Sequence, residues 1–86
     1  MGRSVPGWAI ENGKLTRDVK VKNFAAALDL VNAIGAVAEE VNHHPDLCIH
    51  SWNHVRIDLV THSAGGITEN DYALAERING LLPADS

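Results

Sequence analysis

The sequence predicts an α+β domain: a two-layer sandwich in which a four-stranded antiparallel sheet carries two helices on one face, in the order ββαββα. Three observations carry this. Two stretches alternate apolar and polar residues around turn signals, the period of a half-buried hairpin. Each is followed by a stretch with apolar residues three and four apart, the period of an amphipathic helix. Each hairpin has one apolar face and each helix one apolar stripe, so a single sheet with both helices on its apolar side is the simplest closure.

Taken in order, Trp8-Ala9-Ile10-Glu11 alternates and is followed by Asn12-Gly13, two residues that tolerate the positive φ of a tight hairpin turn. Lys14 to Val21 alternates again, with Leu15, Val19 and Val21 on one side. Arg17 falls on that apolar side, which suggests a place near an edge. Asn23 is suited to cap a helix start. From Phe24 the pattern becomes helical, with Phe24, Leu28, Val31, Ile34, Ala38 and Val41 as the expected stripe and an end near Asn42. Pro45 disfavours helix in the residue before it, so the chain must leave the helix at His43-His44. A second hairpin is expected from Leu47 to Trp52 and from Val55 to Thr61, with its turn at Asn53-His54. Ser63-Ala64-Gly65-Gly66 reads as a turn. The last helix is expected from Thr68 to about Leu82, stopped by Pro83, with Tyr72, Ala75, Ile78 and Leu82 facing the core. Ala84-Asp85-Ser86 reads as a frayed tail.

Size and composition narrow the function. The 86 residues make one domain, 1–86, without repeats or linkers. A domain this small buries only about 60% of the surface of its unfolded chain, so oligomerisation is the expected source of extra stability. Cys48 is the only cysteine, which excludes an internal disulfide and fits a reducing, cytoplasmic setting. No apolar run reads as a signal peptide or a membrane span. The net charge of −4 argues against nucleic-acid binding, which needs a basic face. Lys14, Arg17, Lys20 and Lys22 are read as strand-surface charges that discourage edge-to-edge aggregation.

All five histidines lie between positions 43 and 62. Glu39 and His43, four apart at a helix end, are expected to share a face. A nearby Glu and a helix C-terminus both favour His⁺, although capping a helix end is all that two adjacent histidines need be doing. His62 is expected to end a strand beside the Gly65-Gly66 turn, where the fold can bring it to His43 and His44 in one cleft. His50 is expected on the outer face of the sheet and His54 in a turn, both as surface residues. Asp71 has a structural reading of equal weight. Thr68-Glu69-Asn70-Asp71 resembles a capping box in which Asp71 bonds back to the helix start, with Ile67 and Tyr72 as its hydrophobic staple. Three histidines and an acid are a conceivable zinc set, but His-x-x-x-His spacing and a helpful cysteine are lacking, so no metal is expected.

Glu39-x-x-x-His43-His44-Pro45, then Trp52, Thr61-His62, Gly65-Gly66 and Asp71, resemble the signature of the pterin-4a-carbinolamine dehydratases, and the likeness runs from Trp8 to about Leu82. That resemblance implies an antiparallel sheet backed by helices and a metal-free, cofactor-free hydro-lyase. Its reaction is the dehydration of 4a-hydroxytetrahydrobiopterin to quinonoid dihydropterin, which recycles the pterin of aromatic amino-acid hydroxylases. It further implies His43 and His62 as proton-transfer residues, His44 as the substrate-holding histidine, and Glu39, Trp52 and Asp71 as substrate-binding or orienting residues. The same resemblance implies a homodimer through the sheet and, in many members, a tetramer through helices. Many members carry a helix before the Trp8 position, where this sequence has seven residues. Pro45 to Trp52 is one residue longer than in many members, which suggests a bulge. Some proteins of this fold instead act as modules that stabilise or assemble a protein partner, and that is the competing reading.

Overall fold

The computed structural model describes residues 4–83. In chain order the elements are β1 (Ala9–Glu11), β2 (Lys14–Lys20), α1 (Phe24–Val41), β3 (Asp46–His50), β4 (His54–Leu59), a 3₁₀ turn (His62–Ala64) and α2 (Glu69–Asn79). All strand pairs are antiparallel and the spatial order is β1-β2-β4-β3. The expected ββαββα sandwich is therefore present. The expected tail, 84–86, lies outside the described residues.

The first hairpin closes as its turn residues dictate, with Asn12 at φ 53° and Gly13 at φ 75°. The pairings Leu15↔Leu59, Arg17↔Ile57 and Val19↔Val55 set one face of the sheet inward. Leu15, Val19, Val55, Ile57 and Leu59 are all at most 2% exposed. Leu30 and Ile34 of α1, and Leu74 and Ile78 of α2, complete that core. Burying each such side chain contributes roughly 1.5–3 kcal/mol before entropy is counted. The opposite face is polar, with Asp18, Lys20, Cys48, His50, Arg56 and Asp58 alternating against the inward residues.

The structure corrects several boundaries. The buried stripe of α1 is Ala27, Leu30, Ile34, Val37 and Ala38, whereas Phe24, Leu28 and Val41 are 50%, 44% and 42% exposed. This helix is apolar on more than one side, so spacing alone selects no unique face, and contact with the sheet decides. In the second hairpin the turn is Ser51-Trp52-Asn53, and β4 starts at His54. Ser51 and Trp52 take φ of 50° and 56°, while Asn53 is buried and its side-chain amide donates to the Val21 carbonyl at 3.0 Å. That anchor to the end of β2 fixes the loop. β4 ends at Leu59, and α2 ends at Asn79, before the expected Leu82.

Arg17 belongs to β2, an interior strand, and not to an edge. Its guanidinium escapes the core by donating to Asn79 Oδ1 at 2.9 Å and to the Pro6 carbonyl at 3.2 Å. Trp8 Nε1 donates to the same Asn79 oxygen at 2.8 Å, and Asn79 Nδ2 donates to Pro6 at 3.0 Å. Gly7 passes directly over this network at φ 84°, and a Cβ there would lie 2.3 Å from Arg17 Nη1.

Candidate functional site

The site is assembled where α1 ends, where the chain beyond β4 turns, and where α2 begins. Asn42 closes α1 in the left-handed conformation, and the His43 N–H donates back to the Ala38 carbonyl at 3.1 Å. This 6→1 bond is that of a Schellman-type stop. It also takes His43 off the helical spacing. The expected Glu39–His43 pair is therefore absent: Glu39 Oε2 meets His44 Nε2 at 2.5 Å, on the exposed surface. His43 turns instead to α2, where its Nε2 lies 2.6 Å from Asp71 Oδ1.

Asp71 is fully buried. Its Oδ2 accepts from the Thr68 N–H and from the Thr61 hydroxyl, both at 2.8 Å. The Thr61 and Thr68 hydroxyls are themselves 2.7 Å apart. One oxygen of Asp71 closes the capping box of α2 and the other meets His43. A carboxylate can only accept, so opposite it a neutral His43 ring donates from Nε2 and offers Nδ1 as its accepting atom. Thr61, beyond the sequence-expected site residues, links the end of the second hairpin to Asp71. Its signal was the Thr-His pair before a glycine turn. Ile67 and Tyr72, the expected staple, both pack against the core.

His62 opens the 3₁₀ turn instead of ending a strand, because Thr61 pairs with Gly66 in an isolated bridge and the chain between them loops out. Its side chain is exposed, one residue from Thr61. Trp52, 62% exposed, sits in the β3–β4 turn, at the end of that hairpin away from His43 and Thr61. One chain therefore brings together His43, Asp71, Thr61 and Thr68, places His62, His44 and Glu39 on neighbouring segments, and keeps Trp52 apart.

A cleft of about 240 Å³ opens between the end of α1 and α2, lined by Asn42, His43, Asn70 and Arg77 among others. A larger hollow of about 570 Å³ follows β2 from Arg17 to Lys22. Its lining includes no histidine, whereas His43 lines the smaller cleft. Against the expectation for His54, that residue begins β4, and both His50 and His54 bond to Asp18 on the outer face. Among the described residues no helix is long and apolar enough to cross a membrane.

The family model described as pterin 4 alpha carbinolamine dehydratase matches residues 1–81. A protein of Sulfolobus acidocaldarius named "Putative pterin-4-alpha-carbinolamine dehydratase" is 47% identical over 77 residues, which are 90% of this chain and 84% of that protein. The mitochondrial pterin-4-alpha-carbinolamine dehydratase 2 of Arabidopsis thaliana is 42% identical over 87 residues, covering 96% of this chain but 46% of its own length. Among solved structures, one described as a transcriptional coactivator/pterin dehydratase from Brucella melitensis superposes with a TM-score of 0.82 at 32% identity, covering 91% of this chain and 84% of that one. A pterin dehydratase-like protein identified as a RuBisCO assembly factor in the alpha-carboxysome shares the fold at a TM-score of 0.68 and 23% identity, covering 86% of this chain and 84% of that one.

Proposed function

The chain belongs to the pterin 4 alpha carbinolamine dehydratase family of hydro-lyases, and from that premise we propose that it dehydrates 4a-hydroxytetrahydrobiopterin to quinonoid dihydropterin by histidine acid–base catalysis. The observation that carries this reading is the His43–Asp71 pair at the cleft. In the reaction the carbon–oxygen bond breaks as the leaving hydroxyl takes a proton. The neighbouring ring nitrogen loses its proton, a C=N bond forms, and water departs. One proton enters and one leaves, so the chemistry needs a donor and an acceptor. His43, held by Asp71 with Nδ1 free to accept, suits one of these roles, and the buried carboxylate stabilises the imidazolium once it forms. His62, exposed and close in sequence to Thr61, suits the other. His44, paired to Glu39, holds the substrate from the surface. Trp52 is given no contact with a pterin at His43 of its own chain.

The site needs no metal for this work, since an oriented imidazole supplies the proton transfers. The test is direct: chelator-treated protein is supplied with a 4a-hydroxypterin, and loss of the carbinolamine absorbance is followed. Turnover above the spontaneous rate is expected. No acceleration, or acceleration only after zinc is restored, overturns the reading.

We further propose that the protein is at least a homodimer in the cytoplasm. β1 and β3 are the open edges of the sheet, and edge pairing across a two-fold axis satisfies their backbone groups. The half-exposed Phe24 and Leu28 on α1 favour a further apolar contact. Such a contact suits either a tetramer or a protein partner, which is the second reading of this fold.

A further inference from the structure

We propose that Asp18, His50 and His54 form a binding site for one divalent transition-metal ion of the zinc or copper type, on the outer face of the sheet and separate from the His43 cleft. The three side chains come from three adjacent strands, β2, β3 and β4. Each offers one donor atom, and these atoms lie within 4.8 Å of one another. Among the described residues it is the one group of histidine, cysteine and acid donors that converges in this way. His43, His44 and His62 do not.

The placement follows from the register. His50 and His54 are a direct cross-strand pair flanking the Ser51-Trp52-Asn53 turn, with ring centroids 5.0 Å apart. Asp18 stands on β2 opposite Arg56, two residues along β4 from His54 and on the same face. Its Oδ1 accepts from His54 Nδ1 at 2.8 Å, and its Oδ2 accepts from His50 Nε2. These are the nitrogens a metal would use, so no ring need turn over. In a tetrahedral zinc site, donors at about 2.0–2.2 Å from the ion sit roughly 3.3–3.5 Å from one another. Each imidazole nitrogen already lies closer than that to a carboxylate oxygen of Asp18, and all three donors lie within 4.8 Å of one another, so a small rearrangement admits an ion in place of the shared protons.

The surroundings agree. When His50 Nε2 binds an ion, its proton moves to Nδ1, which has the Ser51 hydroxyl 3.2 Å away as an acceptor. Such an outer partner fixes the tautomer of a liganding histidine. Two imidazoles and one carboxylate are a donor set suited to zinc and copper rather than to magnesium or calcium. Asp18, His50 and His54 are each about a third or more exposed, which gives an ion an entry path and leaves a coordination position for water. Arg56 and Lys20 share this face and oppose a cation. Arg56, however, is turned to Asp58 and Glu11, at 3.4 and 3.5 Å. The site lies at the start of β4, whereas Thr61 and the His43 cleft lie beyond its end, seven residues or roughly 20 Å along extended chain. An ion here would tie three strands together at the turn without touching the dehydration chemistry.

The experiment is calorimetric titration of the full chain with zinc chloride in a non-coordinating buffer, with melting scans with and without zinc. One ion per chain and a zinc-dependent rise in the melting temperature are expected. Asp18→Asn and His50→Ala should each weaken binding by at least about tenfold and abolish the rise. His43→Ala and His62→Ala should leave both unchanged. If Asp18→Asn fails to fold without metal, His50→Ala and His54→Gln carry the test, because both histidines are surface residues. Undiminished binding in the Asp18 and His50 variants, loss confined to the His43 or His62 variants, or no saturable binding up to roughly 1 mM zinc overturns the proposal.

Discussion

Replacing Asp71 with asparagine separates the two tasks of that residue. The wild-type carboxylate accepts from Thr68 N–H and Thr61 on one oxygen and from His43 on the other. An asparagine keeps the shape and can keep its oxygen on the Thr68 and Thr61 side, preserving the cap. Its NH₂ then faces His43 Nε2, where the wild-type oxygen accepted. His43 has to move its proton to Nδ1, and the accepting nitrogen is spent on the asparagine. Exchanging a charged acceptor for a neutral one in a buried site should cost about 1–3 kcal/mol, and each kcal/mol lowers the melting temperature of a domain this size by roughly 4–8 °C. Turnover should fall by about 10²–10⁴-fold, the usual worth of a general acid or base. Three readings are needed: urea denaturation, dehydration kinetics, and the nitrogen chemical shifts of His43, which report the tautomer. An inverted tautomer with full turnover would show that His43 Nδ1 takes no part. An unchanged tautomer would show that Asp71 does not set it.

Other outcomes follow from the same geometry. His43→Ala and His62→Ala should each lower turnover by about 10²-fold or more, while His50→Ala and His54→Ala leave it near wild type in the same assay; equal losses in all four would place the cleft elsewhere. Gly7→Ala forces a side chain to φ 84° and against the Arg17 guanidinium, so urea unfolding should register a loss of about 1–3 kcal/mol. Sedimentation at low micromolar concentration should show a dimer or larger, and a fully active, stable monomer would refute edge pairing.

The sequence was most legible where the chemistry is local. Asn12-Gly13 specifies its turn because both residues must take positive φ, and Asp71 lies in a cap whose spacing is readable without any tertiary knowledge. Legibility failed where long-range contact chooses among equivalent local solutions. The α1 stretch is apolar on more than one side, so the choice of Ala27, Leu30 and Ile34 over Phe24 and Leu28 belongs to the sheet. The second turn begins earlier than expected because Ser51 and Trp52, which do not take positive φ by habit, do so here, while Asn53 closes the turn through its bond to Val21, 32 residues away. In the site, helical spacing paired Glu39 with His43, yet the left-handed Asn42 shifts that partnership to His44 and frees His43 for Asp71. No spacing rule reaches across the 28 residues between His43 and Asp71.

Because one carboxylate both caps α2 and orients His43, the first turn of that helix and the proton-transfer geometry should respond together to damage, unless the damage strikes the capping side alone. Thr61→Val tests this. It removes the hydroxyl that donates to Asp71 Oδ2 and meets Thr68 Oγ1, while keeping the β-branched shape. Asp71 retains the Thr68 N–H and His43. The loss of one buried hydrogen bond should cost about 0.5–1.5 kcal/mol, with something added for the Thr68 hydroxyl left short of a partner. The His43 tautomer should stay as it is, since Oδ1 is untouched. Turnover should therefore drop by much less than in Asp71→Asn, even if the two variants are equally destabilised. If Thr61→Val instead matches Asp71→Asn in turnover while His43 keeps its proton on Nε2, the hydroxyl itself works on the substrate, and Thr61 moves from the support of the site to its catalytic face.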